Sequence, residues 1–213
     1  MNKRLWAVFA MPVVLSLILI ASASLLNAQG ATKGKVLLIA REGPTSDLDL
    51  MLDKEIGTMT RLLEQSGFKV VVASASGQPL TGKTKTLKPI LKLSAVNISD
   101  YSGLIIPCLT MGNTELSPEF LPLIRESVAK GKPVAAVNGG VLVLAKAGVL
   151  NGKQYALVNE NKEITNVIYK GSGVVHDGKI ITSGVCPMIA KSTGLPDGTP
   201  ALTKAFIAQI EKK

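Results

Sequence analysis

Residues 131–148, GKPVAAVNGGVLVLAKAG, constrain the fold more than any other stretch of the chain. The apolar run at 134–137 is short and rich in β-branched residues, which predicts a buried strand. Asn138-Gly139-Gly140 breaks the run, and a second apolar run ends at Lys146 and Gly148, which signal the end of a helix. Strand, sharp turn and helix is the arrangement of a nucleophile elbow, in which a strained turn residue projects from the carboxyl end of a strand.

Asn138 occupies the nucleophile position of this predicted elbow. Asparagine tolerates a positive φ better than most residues, but its carboxamide is not a nucleophile. The simpler interpretation is a strand-to-helix turn that uses Asn-Gly for its backbone alone. Both interpretations stay open on this stretch.

Three further apolar runs, at 35–40, 68–73 and 103–106, are predicted to be buried strands. Helical periodicity over 48–66 separates the first of these runs from the second, and helical periodicity over 117–130 separates the third from the elbow. Strands that are apolar throughout and alternate with helices form a parallel sheet covered on both faces. The sequence therefore predicts a three-layer α/β/α sandwich with a mostly parallel sheet.

Ligands bind such sheets at the carboxyl ends of the strands, where the loops at 41–47, 107–113 and 138–140 are expected to converge. Beyond Gly148 the chain has short β-like runs, and Asp177-Gly178 predicts a tight hairpin turn. Residues 183–199 are expected to be a loop, and 201–212 a closing amphipathic helix.

The first residues have the pattern of a secretory signal peptide. Lys3 and Arg4 precede a long uncharged apolar run, and Ala28 provides a small residue for cleavage. We therefore predict a signal peptide at 1–28, a short linker at 29–33 and a single domain at 34–213. The protein is expected to be exported, periplasmic or secreted. The alternative is an uncleaved N-terminal membrane anchor.

The charge pattern argues against nucleic-acid binding. Cleavage after Ala28 would lower the net charge from +9 to +7, and the remaining lysines are scattered without a basic run. His176 is the only histidine, so a His-rich metal site is excluded, and it is expected on a surface hairpin. No metal and no cofactor are predicted.

Several motifs in their order and spacing resemble the ThiJ/PfpI family, over about residues 34–212. This family is a branch of the class I glutamine amidotransferase-like fold and includes Parkinsonism-associated deglycases and PfpI-type peptidases. The resemblance implies a flavodoxin-like fold. The motifs are KVLLIA, LLEQSGFKVVVAS, YSGLIIPCLTMGN at the family's P-G-G loop, GKPVAAVNGG at its A-x-C-x-G elbow, and VVHDGKIITSG at its hairpin.

The family's chemistry uses an elbow cysteine, a glutamate from the first helix and backbone N–H groups of the P-G-G loop. Glu55, twelve residues before Gly67, takes the place of that glutamate; the alternative is a solvated helix residue. Asn138 replaces the cysteine, Gly139 replaces the histidine of PfpI-type peptidases, and Cys108 replaces the first glycine of P-G-G. The resemblance thus predicts a hydrogen-bonded pair of Glu55 and Asn138 in place of a catalytic thiol.

Cys108 and Cys186 are the only cysteines. The resemblance directs both of their loops toward the elbow pocket, and in an oxidising compartment an even number permits one disulfide. The hypothesis is a disulfide over the site or a redox pair. The alternative is two independent free thiols.

The favoured function is a non-catalytic pseudoenzyme that binds a small molecule or a protein partner at the former elbow pocket. The alternative is a hydrolase, deglycase or thiol redox protein that uses Cys108. A homodimer is possible because the family commonly forms dimers. The predicted binding residues are Glu55, Cys108, Leu109, Asn138, Gly139 and Cys186.

Overall fold

The computed structural model describes residues 32–89, 91–109 and 115–212. The predicted signal peptide at 1–28 and the first three residues of the predicted linker lie outside these ranges. Among the helices of the described ranges, none combines the length and the apolar character that crossing a bilayer requires.

Seven of the described strands form one sheet, in the order β10-β11-β7-β6-β1-β2-β5. All neighbouring pairs are parallel except β10 and β11. β3–β4 and β8–β9 form two small two-stranded sheets. The strands are β1 (Gly34–Ile39), β2 (Phe68–Ser74), β3 (Leu80–Thr81), β4 (Thr86–Leu87), β5 (Leu91–Lys92), β6 (Gly103–Ile106), β7 (Val134–Val137), β8 (Gln154–Tyr155), β9 (Ile168–Tyr169), β10 (Val174–Asp177) and β11 (Ile180–Ser183).

Five helices cover the sheet within the described residues. The first begins after Asp47, whose side chain accepts a hydrogen bond from the Leu50 N–H, and its middle segment has π-helical hydrogen bonding. The helices are α1 (Leu48–Leu50, Met51–Ile56 and Gly57–Gln65, in one continuous run), α2 (Phe120–Ala129), α3 (Gly139–Lys146), α4 (Pro187–Thr193) and α5 (Thr199–Glu211).

The side chains of each strand alternate between two hydrophobic clusters, one on each face of the sheet. In β1, Leu37 and Ile39 join the cluster that contains the buried residues of α2 and α3. Val36 and Leu38 join the opposite cluster, with the buried residues of α1 and α5. The predicted three-layer sandwich with a mostly parallel sheet is therefore confirmed.

One expectation for the connections was wrong. The segment between β2 and β6, for which the sequence analysis predicts no elements, holds the β3–β4 hairpin, β5 and two 3₁₀ turns. The expected loop at 183–199 contains helix α4, which has Pro187 in its first turn and ends at Gly194 with φ 74°. A proline in the first turn and a glycine after the last turn are ordinary helix signals. The helix is short and lies between segments rich in glycine and proline, so the sequence pattern did not distinguish it from a loop. The predicted hairpin is confirmed, with His176 exposed on β10.

Helix α3 packs closely on strand β6 because Gly140 has no side chain. A Cβ atom at this position would lie 2.5 Å from the carbonyl oxygen of Ile106 and 3.1 Å from its Cγ2. The elbow and the strand beside it are therefore held together by backbone contact.

The Gly140→Ala substitution is expected to lower the free energy of unfolding by about 1–3 kcal/mol, because the methyl group overpacks this contact. Helix propensity alone predicts the opposite, a gain of about 1 kcal/mol. Urea unfolding distinguishes the two signs. Gly173→Ala is the matched control, because a Cβ atom there meets nothing within 4 Å. A Gly140→Ala protein as stable as wild type would contradict the close packing.

Candidate functional site

The carboxyl ends of four neighbouring strands bring the site together. Arg41 follows β1, Cys108 follows β6, Asn138 follows β7, and Cys186 follows β11. Parallel strands end at the same edge of a sheet, so side chains that are far apart in sequence meet there. The loops expected at this edge do meet, because Arg41 donates a hydrogen bond to the Cys108 carbonyl and Asn138 donates one to the Cys108 sulfur.

Asn138 has the backbone predicted for an elbow residue, with φ 37° and ψ −99°. Helix α3 begins at the next residue, Gly139, so backbone N–H groups point out of its N-terminus beside the elbow. The Asn138 side chain also takes part, since its Nδ2 lies 3.7 Å from the sulfur of Cys108. The turn therefore does more than satisfy backbone geometry.

The Cys108 thiol is buried, with 4% of the residue exposed, in surroundings that favour the thiolate. A hydrogen bond from Cys186 makes the largest contribution to lowering the pKa of Cys108 to about 6. The Gly139 N–H, the positive charge of Arg41 and the Asn138 amide act in the same direction, while burial opposes them. Together these groups favour the thiolate form of Cys108.

Cys186 holds the proton of this pair. Its hydrogen bond to Cys108 raises the pKa of the Cys186 thiol, and burial and the neighbouring thiolate raise it further. Both cysteines are free thiols in the structure. Both cysteines lie in the same buried cluster, as the hypothesis of converging loops required, and no disulfide joins them.

Glu55 lies beneath the loop that follows β6. Its Oε1 accepts a hydrogen bond of 2.8 Å from the N–H of Cys108, and its Oε2 accepts one of 3.0 Å from the N–H of Leu109. It is completely buried, so the alternative of a solvated helix residue is wrong. Glu55 lies in the π-helical segment of α1 among buried neighbours, and such segments are frequent at functional sites.

The predicted pair of Glu55 and Asn138 is also wrong. Leu109 has φ 46°, a left-handed backbone that turns two successive N–H groups toward α1. The carboxylate spans both groups, and the Asn138 amide is left to the sulfur of Cys108. The left-handed conformation costs about 1–2 kcal/mol, which burial of the Leu109 side chain offsets.

Burial raises the pKa of Glu55 well above its usual range, and the negative charge of Cys108 adds to the effect. The two backbone N–H groups act in the opposite direction. The N–H groups of the P-G-G loop that the resemblance assigned to an oxyanion hole are thus already bonded to protein. A substrate oxyanion would have to displace the carboxylate to use them.

Arg41 is the site residue that the sequence interpretation missed. It is 1% exposed, and its guanidinium acts on the charges of Cys108, Glu55 and Cys186. Burial lowers the pKa of Arg41, and these three acidic groups oppose that shift. The available signal was its place directly after the apolar run of β1, at the edge where ligands bind.

Metal binding finds no support at this edge. Across residues 32–89, 91–109 and 115–212, no three His, Cys, Asp or Glu side chains come together as a metal ion would require. The chemistry available to the described site is that of one activated thiol, a second thiol, a carboxyl group and a guanidinium.

A doubly covered parallel sheet with a strained elbow and a glutamate from the first helix defines the glutamine amidotransferase-like class of α/β proteins. Within this class the chain belongs to the DJ-1/PfpI family, whose model matches residues 46–190. The resemblance to the ThiJ/PfpI family is therefore confirmed.

Relatives and solved structures agree with this family. An uncharacterized protein of Archaeoglobus fulgidus is 29% identical over 152 residues, 69% of this chain and 87% of that protein. A deglycase of Pyrococcus horikoshii is 28% identical over 128 residues, 58% of this chain and 77% of that protein. The ThiJ/PfpI domain protein of Brachyspira murdochii has a TM-score of 0.66 at 17% identity, covering 86% of this chain and 99% of that one. At that identity the structural likeness shows the fold alone.

The thiol environment predicts how the two cysteines react. Iodoacetamide should alkylate Cys108 with a midpoint near pH 6, well below the value of about 8.5 for a free cysteine. Cys186 should stay unmodified in the folded protein up to pH 9. Mass spectrometry of digested samples, taken along a pH series, measures both. The Cys108→Ser protein provides the background, and a Cys108 midpoint above pH 8 would refute this picture of the site.

Proposed function

We propose that the site is a two-cysteine thiol redox site, in which Cys108 reduces a small hydroperoxide and Cys186 resolves the product. The observation that supports this most is the position of the Cys108 sulfur beside the Asn138 amide and the first residue of α3, with Cys186 buried in the same hydrophobic cluster. Reactive cysteines that change oxidation state combine a lowered pKa with a nearby second thiol.

The first step is attack by the Cys108 thiolate on one oxygen of the peroxide bond. The O–O bond breaks, a sulfur–oxygen bond forms, and the second oxygen leaves as hydroxide or alkoxide, which takes a proton from water. Cys108 becomes a sulfenic acid, oxidised by two electrons, and the hydroperoxide is reduced by two electrons.

The second step is attack by Cys186 on the sulfenic sulfur. The sulfur–sulfur bond forms, and the hydroxyl group leaves with the Cys186 proton as water. A dithiol then returns the pair to the reduced state by thiol–disulfide exchange. The adjacency of the two sulfurs supports this step.

The burial of both cysteines supports a small oxidant. Cys108 is 4% exposed and Cys186 is fully buried, so neither presents its sulfur to a second protein. Hydrogen peroxide is about the size of two water molecules, and a local opening suffices to admit it. A protein disulfide, by contrast, needs an exposed sulfur for in-line attack.

The test is peroxide consumption with dithiothreitol as reductant, for wild type, Cys108→Ser and Cys186→Ser. With dithiothreitol, wild type should turn over and Cys108→Ser should not; without reductant, Cys186→Ser should consume one equivalent of peroxide and leave a dimedone-reactive Cys108. The surroundings that lower the pKa of Cys108 raise the thiolate population at pH 7, so the wild-type rate should clearly exceed that of Cys108→Ser. A rate equal to that of Cys108→Ser would refute the proposal.

The second candidate is a non-catalytic member of the family that binds a small molecule or a protein. It is favoured by the carboxamide of Asn138 at the elbow and by Glu55, which occupies two N–H donors of the adjacent loop. The same bonds weigh against hydrolase or deglycase chemistry at Cys108, because an oxyanion would lack these donors.

A gain-of-function variant tests this candidate. If the site is a disabled enzyme of the deglycase type, Asn138→Cys should convert methylglyoxal while wild type does not, since the thiol would enter the family position. Lactate formation measures the conversion, and Asn138→Ser is the matched control because it shortens the side chain without adding a thiol. Conversion by wild type that Cys108→Ser abolishes would overturn the non-catalytic candidate.

Export to the periplasm or medium, a homodimer and a bound partner remain predictions. They rest on the pattern of residues 1–28 and on the habits of the family.

A further inference from the structure

The Arg41 guanidinium fills the space in front of the first residue of α3. A Cβ atom at Gly139 would overlap Nη2 of Arg41 and would lie 3.3 Å from both its Cζ and the sulfur of Cys108. Gly139 does not have a positive φ, so its backbone would accept alanine. The close approach of the guanidinium is therefore what requires glycine here.

We propose that Arg41 is the positioning residue of the thiol site, and that Gly139 is required because it admits the Arg41 guanidinium between the elbow and Cys108. This inference rests on the proposed use of Cys108 as the reactive thiol. Arg41 acts through Cys108 and is not assigned contact with the oxidant.

Two contacts carry the proposal. Arg41 donates a hydrogen bond through Nη2 to the Cys108 carbonyl, which fixes the backbone that carries the sulfur. The same cation faces the thiolate across the space that Gly139 leaves open. A guanidinium stays charged even when it is buried, so this site always holds one positive charge.

The acidic groups on the elements around the site are consistent with a positioning role for the Arg41 cation. Glu55 from α1 adds a second acidic group, and Asp197, before α5, acts on Glu55. Arg41 is the cation among the groups that act on Cys108. Without it, the thiolate and the carboxyl group would face each other uncompensated in a buried place.

The experiment is the pH midpoint of Cys108 alkylation by iodoacetamide in Arg41→Gln, Arg41→Lys and Gly139→Ala. Arg41→Gln keeps a donor but loses the charge, so the midpoint should rise by about one pH unit, a tenfold loss of thiolate below it. Arg41→Lys keeps the charge and should retain most of the wild-type midpoint. A merely structural role would not separate these two variants.

Gly139→Ala should raise the midpoint in the same direction, because the methyl group displaces the guanidinium. The double variant Arg41→Gln/Gly139→Ala should shift no further than Arg41→Gln alone, since both changes remove the same contact. Arg125→Gln is the control for loss of a charge elsewhere, because Arg125 bonds to the Ala147 carbonyl. Its midpoint should equal that of wild type.

An unchanged midpoint in a folded Arg41→Gln protein would overturn the inference. If that protein does not fold by circular dichroism, Gly139→Ala decides, and a folded Gly139→Ala protein with the wild-type midpoint overturns the inference equally. Alkylation does not depend on peroxide turnover. A wild type that consumes no peroxide, together with a shifted midpoint in Arg41→Gln, would refute the proposed function and support the role of Arg41.

Discussion

Two hydrogen bonds from backbone N–H groups to the carboxyl group of Glu55 join the first helix to the loop after strand β6. The rest of the site depends on this connection. It holds Leu109 in a left-handed conformation and leaves the Cys108 side chain facing the elbow. Hydrogen bonds contribute about 0.5–1.5 kcal/mol each when both groups are neutral and about 1.5–3 kcal/mol when one is charged, and an unpartnered carboxyl group buried at the same place would be costly. The helix and the loop therefore fix each other.

Charge sets the second constraint, because three ionisable groups share a space closed to water. Arg41 brings one positive charge, while the negative charge of Cys108 raises the pKa of Glu55. A single negative charge beside the guanidinium is the balanced state. The donors from Gly139, Asn138 and Cys186 act on the Cys108 sulfur and favour that charge on Cys108. The site thus pairs a buried cation with a thiol whose surroundings favour the thiolate.

The fold was predictable because its signals are local. Strands that are apolar throughout, a break at Asn138 and a helix stop at Gly148 each follow from a few consecutive residues. Glu55 could be located because the resemblance places the family's glutamate twelve residues before Gly67, and the structure buries it among Met51, Leu52 and Ile56. The sequence therefore predicted the strands and helices of the core and most of the residues of the site.

The partners within the site were not predictable in the same way. Which group Glu55 binds depends on the backbone of Leu109, and a left-handed leucine is not expected from its residue type. Arg41 was missed because a charged residue after a strand is usually solvated, and its burial follows from Gly139, nearly a hundred residues away. Contacts between the ends of different strands are set by the packing of the whole sheet.

The position of the sulfur accounts for how the proposed thiol chemistry would operate with asparagine at the elbow. The surroundings that stabilise a thiolate belong to the N-terminus of α3 and to the ends of β6 and β7. A sulfur at the end of either strand can be stabilised by these surroundings. Here the sulfur belongs to Cys108, on the loop after β6, and the Asn138 amide at the elbow donates a hydrogen bond to it. The move has a chemical consequence, because the N–H groups of Cys108 and Leu109 now bind Glu55 behind the sulfur. Acyl transfer requires such donors for its oxyanion, whereas reduction of a peroxide requires only a thiolate and a weak O–O bond. The arrangement therefore favours attack of the sulfur on a peroxide bond over its addition to a carbonyl group.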